Sequence, residues 1–167
     1  ILAKAVEQFL TDVAWGNLDY LLVDMPPGTG DIQMALARLV PQSEMLVVTT
    51  PSRGAQQVAA RVGDMAQRSF MPIIGVVENM SYFVAPDGSK FEIFGEGGGA
   101  RLAKRLATQL IAQIPIEPEV TGANNDGAPI AVSDTETIKD SSAAIAFREL
   151  AHKIVTDICP PVELATC

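Results

Sequence analysis

The chain reads as an α/β domain with a mainly parallel sheet flanked by helices. Three observations predict this. Apolar runs of strand length, at residues 20–23, 45–50, 72–77 and 110–114, alternate with segments whose apolar residues recur at helical spacing. The runs are nearly continuous rather than alternating, which suits strands buried on both faces of a parallel sheet. The first ends at Asp24, the second at Pro51 and the fourth at Pro115, and the third leads into Glu78 and Asn79. The carboxyl ends of strands are where open α/β sheets bind ligands.

In chain order, residues 1–15 form an amphipathic helix with Val6, Phe9, Leu10 and Val13 on one face, ended by Gly16 and Asn17. The strand ending at Asp24 follows, then the rigid turn Pro26-Pro27-Gly28-Thr29-Gly30. Asp31 is placed to cap a helix containing Ile32, Met34, Ala35, Leu36, Leu39 and Val40, which Pro41 closes. After the strand at 45–50, residues 55–70 form a helix with a core stripe of Val58, Val62, Met65 and Ala66. Residues 82–94 read as a hairpin turning at Pro86-Asp87-Gly88-Ser89. Gly97-Gly98-Gly99 opens a helix carrying Leu102, Ala103 and Leu106. Three such glycines either make a structural turn or cradle an anion, and no lysine follows in phosphate-loop spacing. Asn124-Asn125-Asp126-Gly127 is a turn, and residues 130–132 are expected to be extended. A last helix over 142–158 aligns Phe147, Leu150, Ala151, Ile154 and Ile158, until Pro160-Pro161 stops it. The only histidine, His152, lies off that stripe on the solvent side.

Bulk properties exclude several functions. The chain has 167 residues, enough for one domain with a real core, and a formal net charge of -8. That balance argues against nucleic-acid binding, which needs a basic face, and against docking on an anionic membrane by charge. No apolar run approaches the roughly 20 residues of a membrane span, and no signal-peptide pattern opens the chain. The only cysteines, Cys159 and Cys167, lie near the end and form no secreted disulfide framework, so a cytoplasmic location is expected.

Chemistry concentrates at residues 19–31. Asp24 at a strand end either caps a turn or holds a water of Mg²⁺, an ion that prefers oxygen ligands and keeps several waters. Gly28 and Gly30 would let backbone amides approach an anion closely. Asn79 is either a turn asparagine or an amide matched to the edge of adenine. The string Asp-Met-Pro-Pro-Gly-Thr-Gly-Asp-Ile-Gln from Asp24 closely resembles the signature of the Mrp/ApbC family, MinD-like P-loop ATPases that carry iron–sulfur clusters. Val77-Glu78-Asn79-Met80-Ser81 and Phe94-Gly95-Glu96-Gly97-Gly98-Gly99 match in the same order, and the resemblance runs from about residue 9 to about residue 150.

The resemblance implies a MinD-like P-loop NTPase domain, a hydrolase for ATP with Mg²⁺, working as a homodimer with nucleotide at the subunit interface and serving iron–sulfur client proteins. It assigns Asp24 to the metal through water, Gly28 to an amide near the γ-phosphate, and Asn79 to adenine. Pro115 and Ile116, beside Ile114, would pack against the purine. It also makes the segment at Asp31 a nucleotide-dependent switch.

Two departures temper this. No GxxxxGK[ST] occurs, and the chain opens at Ile1 inside a helix, so it reads as a single domain over residues 1–167, incomplete at its amino end and lacking the Walker A portion. Many relatives carry a CxxC in the hairpin, where paired subunits bridge a cluster. Here that region reads Val84-Ala85-Pro86-Asp87-Gly88. The Pro/Cys tail at residues 159–167 is either inert or a substitute ligand set in which Cys159 and Cys167 of two subunits close one cluster. The function expected is therefore an ATP-binding iron–sulfur cluster carrier. The alternative is a nucleotide-gated, MinD-like scaffold without a cluster.

Overall fold

The computed structural model describes residues 2–25, 31–118, 120, 129–132 and 140–161. The order is α1 (Leu2–Thr11), α2 (Asp31–Leu39), β1 (Met45–Thr49), α3 (Arg53–Arg68), β2 (Ile73–Glu78), β3 (Phe83–Val84), β4 (Lys90–Phe91), α4 (Gly98–Arg105), β5 (Leu110–Gln113), a 3₁₀ turn (Ile130–Val132) and α5 (Ser142–Lys153), which continues as a π turn (Ile154–Ile158). Strands β1, β2 and β5 form a parallel sheet in the order β1-β2-β5, with Val47 opposite Val76 and Val76 opposite Leu110. The hairpin β3–β4 is a separate antiparallel pair, joined to the chain leaving β5 by a bridge between Phe83 and Ile116.

The parallel sheet is sandwiched, as its continuous apolar strands predict. Successive side chains of a strand point to opposite faces. Val76 joins Val47, Ala59, Ala60, Met65, Ala66, Leu102, Ala103 and Leu106 in a core under α3 and α4. Val77 points the other way and packs with Ile111, Ile114, Ile130, Ala143 and Ala144 under α5. Small residues on α3 and α5 let these helices sit close to the sheet. Helix α5 is held at its start by two caps. Ser141 accepts from the Ala144 amide, and the Glu117 carboxylate accepts from the amides of Ser142 and Ala143 at 2.8 and 3.1 Å. Both remove orphan amide donors at a helix start.

Several expectations need correction. Residues 19–24 are not a strand. They run irregularly and exposed, with Leu22 92% and Val23 47% accessible. A strand exists only through a neighbour, and among the described residues β1 pairs with β2 alone and offers its other edge to nothing. Apolar character makes this segment ready for a sheet without supplying the partner. Val58 and Ala151 are exposed rather than core residues, because α3 and α5 each turn a narrower stripe inward than sequence spacing implies. Residues 130–132 form a 3₁₀ turn rather than an extended piece, since the Val132 amide closes back on the Pro129 carbonyl at 3.0 Å. The turn at 124–127 lies outside the described residues.

Candidate nucleotide-binding edge

Strands β2 and β5 end side by side, and the loops that leave them are stitched together. Ser81 donates its amide to Ile114 at 2.9 Å, and Ile116 donates its amide to Tyr82 at 2.7 Å. Asn79 donates its own amide to the Thr49 carbonyl at 2.7 Å, which ties the same loop to the end of β1. The structure therefore brings Asn79, Pro115 and Ile116 to one edge. Pro115 is buried, while Asn79 and Ile116 are half-buried.

The side-chain oxygen of Asn79 accepts the Met80 amide at 2.9 Å, and Met80 takes φ 54°. A non-glycine residue in the left-handed region is uncommon, and such strain clusters where function needs a fixed loop. The bond to Met80 orients the amide of Asn79. A carbonyl oxygen has two lone pairs, so one acceptor site and the side-chain NH₂ stay available.

Below this loop lies a carboxylate whose role was not legible in the sequence. Glu78 is 1% exposed. It accepts from the Ser81 hydroxyl at 2.5 Å, from the Gln113 side-chain amide at 2.8 Å and from the Gly99 backbone amide. Burial pushes its carboxyl up, but those three donors, with Arg101 nearby, outweigh burial and hold it below the usual carboxylate range. Glutamate is almost never fully buried unless paired. The only sequence signal was an acid closing an apolar run, with the donors 3, 21 and 35 residues away.

The network also explains the glycine run. A Cβ on Gly98 would lie 2.5 Å from the Pro51 carbonyl oxygen, and one on Gly99 would lie 2.8 Å from the Glu78 Cβ. Gly97, at φ 66°, makes the left-handed entry to α4. The Gly99 amide is occupied by the protein's own carboxylate, which favours the structural-turn reading of this stretch.

The expected metal residues do not join this edge. Asp24 is exposed and borders a separate, mostly apolar cleft of about 240 Å³ with Val6, Phe9, Leu10, Trp15, Leu21, Leu22, Val23 and Leu36. The expectation that β2 carries Glu78 and Asn79 to the same sheet edge as Asp24 is thus corrected, because the segment of Asp24 is not in the sheet. Gly28 and Cys167 lie outside the described residues, as does the side chain of Asp31. Cys159 donates its thiol to Glu44, and burial and then this carboxylate push its pKa up to about 11. A ligand for iron must be a thiolate, so this setting opposes ligation. Among the described residues, no group of three or more His, Cys, Asp and Glu side chains could hold a metal ion. No helix among them is long and apolar enough to cross a membrane.

Similar proteins share both sequence and fold. A family model described as ParA, NUBPL iron-transfer P-loop NTPase, matches residues 1–155. The iron–sulfur cluster carrier protein of Mycobacterium leprae is 46% identical over 143 residues, covering 82% of the chain and 37% of that relative. That of Saccharolobus solfataricus is 40% identical over 154 residues, covering 91% of the chain and 51% of the relative. The chain thus spans between 37% and 51% of the length of these two relatives. The Archaeoglobus fulgidus nucleotide-binding protein in complex with ADP superposes with a TM-score of 0.68 at 31% identity, covering 87% of the chain and 57% of the other. The MinD cell-division ATPase of Pyrococcus furiosus, at 23% identity and a TM-score of 0.62, covers 92% of the chain and 56% of its own and shows a common fold. A parallel sheet sandwiched by helices and a match over nearly the whole chain lead to one conclusion: the chain belongs to the ParA family of NUBPL-type iron-transfer P-loop NTPases.

Proposed function

We propose that this chain forms the adenine-binding side of an ATP-dependent iron–sulfur cluster carrier that works as a cytoplasmic homodimer and passes its cluster to client proteins. The observation that carries the nucleotide half of this reading is the hydrogen-bonded apposition of the Asn79 loop and the Pro115–Ile116 loop at one sheet edge. The residues fit an adenine there. The free acceptor site and the NH₂ of Asn79 match the donor and acceptor edge of the base, while Pro115 and Ile116 offer apolar contact. Asp24 and Gly28 are proposed to serve the Mg²⁺ and the γ-phosphate. That role requires residues 19–24 to enter the sheet as a strand, beside a phosphate-loop strand that these 167 residues do not contain. Bound nucleotide with Mg²⁺ would supply the transferable phosphoryl group, and catalysis would rest on positioning and electrostatics.

The cluster is cargo in this reading. The alternative, a nucleotide-gated MinD-like scaffold without a cluster, gains support from the cysteine-free hairpin and from the protonated thiol of Cys159. Relatives named iron–sulfur cluster carrier proteins favour the first reading for the family, whereas these two observations argue for weak cluster binding by this chain. The nucleotide role is tested with the chain joined to a Walker A segment from a relative. Asn79→Ala should weaken ATP binding by about 1–3 kcal/mol, the usual cost of losing one site hydrogen bond, and reduce the preference for ATP over GTP. Unchanged affinity and selectivity in a titration would remove Asn79 from the site.

A further inference from the structure

A second cavity, of about 250 Å³, lies between α3 and α4 and shares no residue with the nucleotide edge. Its walls carry Arg53, Gln56 and Gln57 of α3 and Arg101 and Arg105 of α4, over a floor of Ala60 and Leu102 that is almost fully buried. Three guanidinium groups around one hollow are unexpected in a chain with a net charge of -8. Arg105 meets Asp64 at 3.1 Å. Among the described residues, neither Arg53 nor Arg101 has a carboxylate within ion-pair distance, and Arg101 feels Glu78 only at longer range.

Their placement is also electrostatically unfavourable as it stands. Arg53 and Arg101 both lie in the first turn of their helices, and neither first turn contains an acidic residue. The field of a helix favours negative charge at that end and disfavours a cation there. The close approach of Gly98 to Pro51 and Gln56 holds the two helix starts together, so the charges cannot separate without unpacking this contact. The cavity thus combines a rigid frame, two guanidinium groups without an ion pair among the described residues, and planar donors suited to bidentate binding of phosphate or carboxylate.

We propose that this cleft is a binding site for a small multivalent oxyanion, a di- or triphosphate group or a polycarboxylate, held by Arg53 and Arg101 with Arg105 and the glutamines at the rim. Its volume suits a molecule of that size and is too small for a folded partner. The site is independent of the adenine reading above.

The test is calorimetric titration of the chain at low ionic strength without Mg²⁺, using pyrophosphate and citrate in separate arms. Saturable binding of either at a single site is expected, and the arm that binds identifies phosphate or carboxylate as the chemistry. Arg53→Gln and Arg101→Gln should each weaken binding at least about tenfold, as loss of one charge-assisted hydrogen-bonding group does. Arg68→Gln, at the far end of α3, and Asn79→Ala, at the nucleotide edge, should bind as the unmodified chain does. Circular dichroism and thermal midpoints without ligand should match among the three arginine variants, since those side chains are exposed. Absence of saturation in both arms would overturn the proposal. So would binding that survives both arginine substitutions or is lost with Asn79→Ala.

Discussion

The backbone amide of Gly99 donates to the carboxylate of Glu78, a residue 21 positions earlier and fully inside the fold. This one contact joins the start of α4 to the end of β2, and Ser81 and Gln113 extend it to the Asn79 loop and to β5. Every neighbour of the carboxylate is a donor. Glu78→Gln would turn an NH₂ toward donors and leave at least one buried group unsatisfied, which costs about 1–3 kcal/mol.

The same contact predicts a pH dependence. The folded carboxyl is held below its ordinary value, so Glu78 contributes stability that is fully present above the ordinary carboxylate range. That contribution is lost as the pH falls through the depressed folded value. Urea unfolding of the chain and of Glu78→Gln should therefore show a gap at pH 7 that narrows on acidification below about pH 4, near the unperturbed value. A gap that stays constant to pH 3 would show that the carboxylate is not held by these donors.

Cys159 should be an unreactive thiol. A pKa raised from 9.0 to about 11 lowers the thiolate fraction at pH 8 by about two orders of magnitude. In a Cys167→Ser background, alkylation by iodoacetamide should be far slower than for a free thiol, and Glu44→Gln should accelerate it. A rate at pH 8 equal to that of an unfolded control would contradict the Glu44 contact. Under anaerobic reconstitution, little iron is expected on the chain. Stoichiometric iron, lost in the Cys159→Ser/Cys167→Ser variant, would instead identify the tail as the cluster site.

The chain by itself should hydrolyse ATP negligibly, because no GxxxxGK[ST] occurs in its 167 residues and so no phosphate-loop amides or lysine stabilise the transferring group. Phosphate release in the presence of Mg²⁺ measures this. Robust turnover abolished by Asp24→Ala would show that another set of donors serves the γ-phosphate.

Residues 19–24 should order when a partner strand is supplied. Leu22 is 92% exposed and, among the described residues, β1 has an open edge, so a phosphate-loop strand added in trans from a relative has both apolar surface and backbone groups to engage. A rise in thermal midpoint and new protection of the amides at 20–24 in hydrogen exchange are expected. If the added segment leaves both unchanged, the exposed stretch is not waiting for a strand.

What the sequence alone determined was local or repetitive. Continuous apolar runs at 45–50, 72–77 and 110–114 announced three of the strands, and helical spacing announced α3 and α5, because burial on both faces of a sheet imposes those patterns directly. The motif at Asp24, Asn79 and Gly97–Gly99 pointed to the family by its order along the chain. Tertiary structure decided whatever depends on a neighbour distant in sequence. Residues 20–23 have the composition of a strand but are not one here, since hydrogen bonding across a sheet needs a second edge that composition cannot supply. In the sequence Glu78 only follows the third apolar run, and the convergence of Ser81, Gly99 and Gln113 makes it a buried anchor. Arg53 and Arg101 lie 48 positions apart in the sequence. They line one cavity because Gly98 lets the start of α4 rest against the Pro51 turn, and no spacing rule links side chains whose proximity is set by the packing of two helices.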